Sequence, residues 1–354
     1  MAKLLFITQK VDKDDDVLGI YHRWIEELAK KVEVLNVICL YRGRTELPTN
    51  VRVYSLGKEE GQSKLKYILR FWKYLFQLRG EYESVFVHMN PEYVIMAGWW
   101  WRLTGKKIIL WYAHYLANLK LRIAAFFANK IVTSTRLAYP LESKKLTVLQ
   151  QGIDTSRFAP ANIKAQITNY KFRVLFLGRI APVKDLETLL SAVKIVRQKV
   201  PGIALTIVGE PTAGKSVEIA YYEKIKKMTQ DLGLQDRVSF MGRVANNKTV
   251  AIYQDHDLFV NLTTTGSFDK STLEAMACGV PVLVSNRAFE EYFDANLQSR
   301  LMFVEGDAED LHRKITNFIS LPEAQKQQIT TKLRNIIVER HGLSGLVNRL
   351  VTQF

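Results

Sequence analysis

Ten short runs rich in β-branched and aromatic residues recur along this chain, and segments of helical period separate them. In the first half they are KLLFIT (3–8), EVLNVICL (33–40), SVFVHM (84–89), KIILWYA (107–113) and KIVTS (130–134). In the second they are FRVLFLG (172–178), ALTIVG (204–209), VSFMG (238–242), DLFVNL (257–262) and PVLVS (281–285). Leu186, Leu189, Leu190, Val193 and Val196 lie between two of these runs, at the spacing of one buried helix face. Strands joined through helices return in the same direction, which gives parallel sheets flanked by helices. A chain of 354 residues is long for one core and suits two such α/β domains. The polar, turn-rich stretch 150–170, with Gly152 and Pro160, reads as their linker. The expected partition is 1–160, 161–342, and a C-terminal helix over 343–354 that packs back on the N-terminal domain.

Composition narrows the class. An apolar fraction of 47% excludes a mainly disordered chain. The two cysteines, Cys39 and Cys278, sit in apolar segments far apart, as buried thiols of a reducing compartment do. The start MAKLLFITQK is too short in its apolar run for a secretory leader and reads as a first strand. The apolar run VIMAGWWW (94–101) is well short of a membrane span. The expectation is a cytoplasmic protein, soluble or peripheral on the inner membrane face. The net charge of +15 favours anionic partners, and residues 1–160 carry 25 Lys and Arg against 15 Asp and Glu. No nucleic-acid-binding module is recognisable, so no nucleic acid is expected as a partner.

Helix-period residues 64–79, KLKYILRFWKYLFQLR, need separate treatment. Leu65, Ile68, Leu69, Trp72, Leu75 and Phe76 form one apolar stripe, widened by Tyr67, Phe71, Tyr74 and Leu78. Lys64, Lys66, Arg70, Lys73 and Arg79 accompany them without one acidic residue. The pattern fits an ordinary domain helix, and it also fits an interfacial helix on an anionic membrane.

Three loops of the second half follow strands, where ligands bind in open α/β sheets. GRIAPVKDLETLL places Arg179 directly after a strand and Lys184 just before a helix; GEPTAGK (209–215) follows with Glu210. The third, TTTGSFDKSTLEAMACGVPV (263–282), puts small polar residues and Lys270 before a helix start. A helix start exposes backbone N–H groups, so these parts suit a diphosphate. Ser271 and Glu274 also fit S-x-x-E, a capping box in which Glu274 only satisfies a backbone donor. His88 and His114 each end a strand and fit either a buried core histidine or a site residue. Neither a dinucleotide fingerprint nor a Walker lysine motif is present, which disfavours hydride transfer and phosphate-bond hydrolysis.

The ordered set GRIAPVKDLETLL, IVGE, FMGRV and TGSFDKSTLEAMACGVPVLVSN resembles the donor domain of retaining family 4 glycosyltransferases. Upstream, LWYAHYLANLKLRIAAFFANKIVTST and QQGIDTSRF are similar to that family's histidine segment and linker. The resemblance covers most of the chain and is weakest over 40–80. It implies a GT-B fold: two Rossmann-like parallel-sheet domains facing each other across a cleft. It implies a hexosyltransferase-type enzyme that moves a sugar from a nucleotide-diphosphate donor, UDP- or GDP-linked, to a glycan or lipid-linked acceptor. Retention and independence of metal and other cofactors are implied as well. Arg179 and Lys184 match the residues that hold the donor diphosphate, and Glu274 matches the one that binds the ribose. Arg243 and Val244 match the loop beside the base, His114 the histidine that reaches the sugar, and Gly19 the first-domain glycine loop. Glu210 and the run Gly266, Ser267, Phe268, Lys270, Ser271, Thr272 and Leu273 complete the implied donor site. The family usually has two glutamates separated by seven residues, and Gly266 stands where the first would be. That departure keeps a second reading, a nucleotide-sugar-binding protein without transferase activity. The implied donor site makes Glu274→Ala and Lys184→Ala weaken nucleotide-diphosphate binding and leave the fold intact. Loss of a mere cap at Glu274 would instead lower stability and leave affinity alone.

Overall fold

The computed structural model describes residues 2–15, 18–114, 116–161, 171–265 and 269–354. The chain divides into two compact units. The first comprises 1–154, 245–247 and 342–354, and the second comprises 155–244 and 248–341.

The first unit is built on seven parallel strands: β1 (Lys3–Val11), β2 (Val34–Arg42), β3 (Val51–Ser55), β4 (Ser84–His88), β5 (Lys107–Trp111), β6 (Lys130–Thr133) and β7 (Leu146–Val148). Their order across the sheet is β3-β2-β1-β4-β5-β6-β7. β1 lies near the middle, so Leu4, Leu5, Phe6 and Ile7 are all fully buried and the strand reads as a continuous apolar run. Right-handed crossovers decide which face each helix covers. Helix Ile20–Ala29 carries the chain from β1 to β2 in one direction. Helices Lys64–Leu78, Pro91–Leu103 and Leu119–Phe127 carry it in the other direction, so they lie together on the opposite face. Leu5, Ile7, Val85, Val87, Ile108 and Leu110 meet Phe71, Leu75, Val94, Ala97, Trp101 and Leu121 in one core there. The C-terminal helix Leu343–Val351 packs against Ile20–Ala29. Arg349 donates to the Leu149 carbonyl at 2.9 Å, and the Leu343 amide to that of Ile153 at 2.8 Å.

Two strands absent from the sequence reading, β3 and β7, form the two edges of this sheet. Val51–Ser55 has only half-buried or exposed residues, and Leu146–Val148 is three residues long, so neither carries a clear period. The stripe read along residues 64–79 is corrected as well. The helix turns Phe71, Leu75 and Leu78 to the sheet, while Leu65, Ile68, Leu69 and Phe76 stay exposed.

The second unit holds five parallel strands: β8 (Phe172–Leu177), β9 (Ile203–Val208), β10 (Val238–Gly242), β11 (Leu258–Asn261) and β12 (Val282–Val284), in the order β10-β9-β8-β11-β12. Helix Leu186–Lys199 buries Leu186, Leu189, Leu190, Val193 and Val196, the five residues of the spacing rule. The order reverses between β8 and β11, the kind of switch point outside which open α/β sheets bind their ligands.

Cys39 and Cys278 are both reduced and buried, and burial pushes each thiol up to about 12. A thiolate is needed for attack, so neither should react with a disulfide reagent in the native protein at neutral pH. Thiol titration is expected to find two equivalents only after denaturant is added; reaction of either in native buffer contradicts the burial.

Candidate functional site

The predicted residues of the second unit gather at the carboxyl ends of its strands. Arg179 follows β8, Glu210 follows β9, Arg243 and Val244 follow β10, and helix Lys270–Ala277 begins nine residues beyond β11. The first two loops touch. The Ile180 amide donates to the Glu210 carbonyl at 3.1 Å. Gly209 has φ +131°, and a Cβ there would fall 1.9 Å from the Gly178 carbonyl oxygen, so only glycine fits. A cavity of about 450 Å³ opens at the opposite, amino ends of these strands, near Lys171, Phe172 and Pro281, and none of the predicted residues line it.

Lys184 ends a 3-10 turn, Pro182–Lys184, and Asp185 behind it takes a left-handed φ of +42°. Asp185 caps helix Leu186–Lys199 by accepting from the Thr188 amide and hydroxyl. The turn directs the Lys184 side chain inward, where only 12% of it is exposed. Its ammonium pairs with Asp269 and donates to the Thr263 hydroxyl at 2.9 Å. Asp269 also accepts from Asn261 at 3.0 Å, Thr263 at 3.0 Å and Ser271 at 2.9 Å. Burial alone would raise this carboxyl, yet the Lys184 charge and its surrounding donors overcome that and hold it at about 2.

Asp269 is the residue that sequence reasoning missed. It is the N-cap residue of helix Lys270–Ala277, and its oxygens serve Lys184, Asn261, Thr263 and Ser271 rather than the helix amides. The capping-box reading is therefore overturned: Ser271 lies inside the helix and donates to Asp269. Glu274 is buried and accepts from the Tyr253 hydroxyl at 2.9 Å. Burial and the Glu274 charge push the Tyr253 phenol well above its usual range. Thr272 and Leu273 are also buried, so they support the helix from within, while Lys270 is partly exposed at its first position.

Arg179 is 43% exposed and lies 3.3 Å from Glu218, which also meets Lys215 at 3.2 Å and the Thr212 amide at 2.8 Å. Burial would raise the Glu218 carboxyl, but those partners hold it below its usual range. Glu210 and Arg243 approach at 3.6 Å, both about half-exposed, and Val244 is half-buried. Gly266, Ser267 and Phe268 lie outside the described residues.

In the first unit, Gly19 precedes helix Ile20–Ala29, and a Cβ there would meet the Asp15 carbonyl at 2.4 Å. His114 follows β5, and its Nδ1 accepts from the Leu116 amide at 3.2 Å. The neutral ring then carries its proton on Nε2. His88 is core: it packs 4.1 Å from the Tyr21 ring and among Phe6, Trp24 and Trp111.

Comparison with known proteins places these features. Residues 161–334 match the family model described as "Glycosyl transferases group 1". Mannosylfructose-phosphate synthase of Agrobacterium fabrum is 29% identical over 153 residues, 42% of this chain and 34% of that protein. The GDP-mannose-dependent alpha-(1-6)-phosphatidylinositol monomannoside mannosyltransferase of Mycobacterium tuberculosis is 32% identical over 154 residues, 40% of this chain and 38% of that protein. The matched stretch thus spans little more than a third of these relatives' length. Anabaena HepE, solved in complex with UDP and glucose, superposes over 99% of both chains with a TM-score of 0.79 at 17% identity. The fold is GT-B. The strand-end loops described above belong to the second of its two parallel-sheet units.

The buried Lys184–Asp269 pair makes an acid-stability prediction. The folded Asp269 carboxyl sits at about 2, below the usual 3.8, so the unfolded chain takes up its proton first. The contribution, about 2 kcal/mol, is complete above the unfolded value and is lost as pH falls through the folded one. Asp269→Asn is expected to cost about 3 kcal/mol at neutral pH, because it leaves a buried ammonium without its counter-charge. Denaturant titrations from pH 5 to about 2 should show a shallower pH slope in the variant; an unchanged slope contradicts the pair.

Proposed function

We propose that this chain is a retaining, nucleotide-sugar-dependent glycosyltransferase of family 4, acting without a bound metal. One observation carries the reading: Arg179 and Lys184 leave β8 at the strand-order reversal, beside the start of helix Lys270–Ala277, within the stretch that matches group 1 glycosyl transferases. Binding of UDP and glucose by HepE supports a nucleotide-sugar donor.

The leaving group in such a transfer is a nucleoside diphosphate, and its growing negative charge is the main electrostatic demand on the protein. Arg179, Lys184, Lys215 and Lys270 meet it with four cations, offset by Glu218 and Asp269. Because Lys184 is matched by Asp269, while Arg179 and Lys215 share the single carboxylate of Glu218, the excess positive charge lies at the Arg179–Lys215 pair. The first turn of helix Lys270–Ala277 adds its positive end, although the Thr272 amide is already taken by the Asp269 carbonyl at 3.2 Å. Glu274 is assigned to the ribose, Arg243 and Val244 to the base, and the loops at Gly19, Glu210 and 266–268 to the donor. The His114 Nε2–H is assigned as a donor to the transferred sugar. The acceptor attacks from the face the diphosphate leaves, and its proton passes to a phosphate oxygen. Gly266 in place of a glutamate also supports the alternative of donor binding without turnover.

Arg179 gives a cleaner binding test than Lys184, whose removal also breaks a buried pair. Arg179→Ala is expected to weaken UDP, GDP or ADP binding about 10- to 100-fold, the equivalent of ~1.5–3 kcal/mol, with little change in melting temperature. Thermal-shift titration with the three nucleotides and their sugars measures it, and a flat response to all of them overturns the donor site.

Turnover, assayed with acceptor mixtures, is expected to survive excess EDTA and to preserve the donor's anomeric configuration. Activity that disappears on chelation and returns with magnesium overturns the metal-free model. Nucleotide binding with no turnover on any acceptor class leaves the binding protein as the correct reading.

A further inference from the structure

We propose that the outer face of helices Lys64–Leu78, Pro91–Leu103 and Leu119–Phe127 docks onto the surface of an anionic phospholipid bilayer. The three helices cover one face of the first sheet, and their inner sides are already occupied by its core. Each then turns a second apolar stripe outward. On the first helix this stripe is Leu65, Ile68, Leu69 and Phe76, with Leu69 61% exposed. On the second, Trp99 and Leu103 face solvent, the latter 77% exposed; on the third, Leu119, Ile123 and Phe126 do, the last 74% exposed.

The stripes are joined laterally. Trp72 of the first helix lies 5.8 Å from Trp99 of the second, and Phe76 lies 5.2 Å from Trp100. Gly98 of the second helix lets Phe127 of the third approach, since a Cβ there would meet its side chain at 2.7 Å. An apolar surface spread over three helices and rich in tryptophan is rare on a soluble monomer and marks an interaction site.

Charge selects the occupant. The three helices carry seven Lys or Arg against one Glu. Among the described residues, Lys64, Lys66 and Lys73 are exposed and have no carboxylate within ion-pair distance, while Glu92 is matched by Lys120 at 2.9 Å. Such an excess repels a second copy of the same face and suits a phosphate-rich surface. No described helix is long and apolar enough to cross a membrane, so the contact is peripheral.

Flotation with vesicles of phosphatidylglycerol and phosphatidylcholine, against phosphatidylcholine alone, tests this without donor or acceptor, so its outcome is independent of the sugar-transfer reading. Binding to the anionic vesicles is expected, fading as salt rises, with bromolipid quenching of tryptophan emission that falls in Trp99→Phe. Two variants alter exposed side chains only: Leu69→Glu with Phe126→Glu, and Lys66→Glu with Lys73→Glu. Each is expected to lose vesicle affinity roughly 10-fold or more with the melting temperature and far-ultraviolet circular dichroism unchanged. Equal flotation on neutral vesicles, no flotation, or binding unchanged in both variants overturns the proposal. A concentration-dependent dimer abolished by Leu69→Glu with Phe126→Glu also overturns it, and assigns the face to a second copy.

Discussion

The ion pair between Lys184 and Asp269 ties together the two loops on either side of the strand-order reversal. One partner ends the turn after β8, and the other begins the helix after β11. Buried charges persist only when matched and hydrogen-bonded, and here Asn261, Thr263 and Ser271 supply the remaining donors. The arrangement fixes where the helix starts. It also leaves the charge of Lys184 matched within the protein. Arg179, held at 3.3 Å by Glu218, is 43% exposed and faces solvent. Two cations that look equivalent in the chain are thus unequal in the fold.

The backbone beside them is equally constrained. Strands β8, β9 and β10 end at the same level, and their loops exchange bonds at Gly178, Ile180, Gly209 and Gly242. The 1.9 Å approach at Gly209 shows how little space remains between the first two loops. Such crowding keeps Arg179 and Glu210 on a short, supported backbone. A charged group on such a base loses less freedom when it meets a ligand than one at the tip of a long loop.

Most of the architecture was legible because parallel sheets leave a local signature. Runs such as LLFI in β1 and the Leu186–Val196 spacing report buried surfaces that their own residues create. Edge strands β3 and β7 are partly exposed and short, so the same rule is silent there. At the site, Arg179, Lys184 and the helix start were legible because a position after a strand follows from topology. The Asp269 partnership was not, since it joins residues 85 apart through tertiary contact alone. Glu274 shows the same limit: its S-x-x-E setting is local, but the Tyr253 hydroxyl that it accepts from is set by packing. Helix Lys64–Leu78 shows a different one. A helical wheel finds apolar arcs, and only the sheet's position decides that Phe71, Leu75 and Leu78 form the covered one.

That last point separates what the first unit needs for folding from what it carries in addition. Phe71, Leu75, Ala97, Trp101, Leu121 and Ala124 fill the sheet face without help from the outer stripes. Replacing outward Leu69, Leu103 or Phe126 by polar residues would leave that core intact and improve solubility, so folding gives no reason for them. The adjoining lysines follow the same logic: folding would be served as well by charges of mixed sign, which repel each other less. An apolar patch and a one-sided charge excess on the same helices answer a single physical demand. A surface that takes up buried apolar area and neutralises cations at the same time meets both, and an anionic bilayer does so while leaving the opposite face of the sheet, with helix Ile20–Ala29, uncovered.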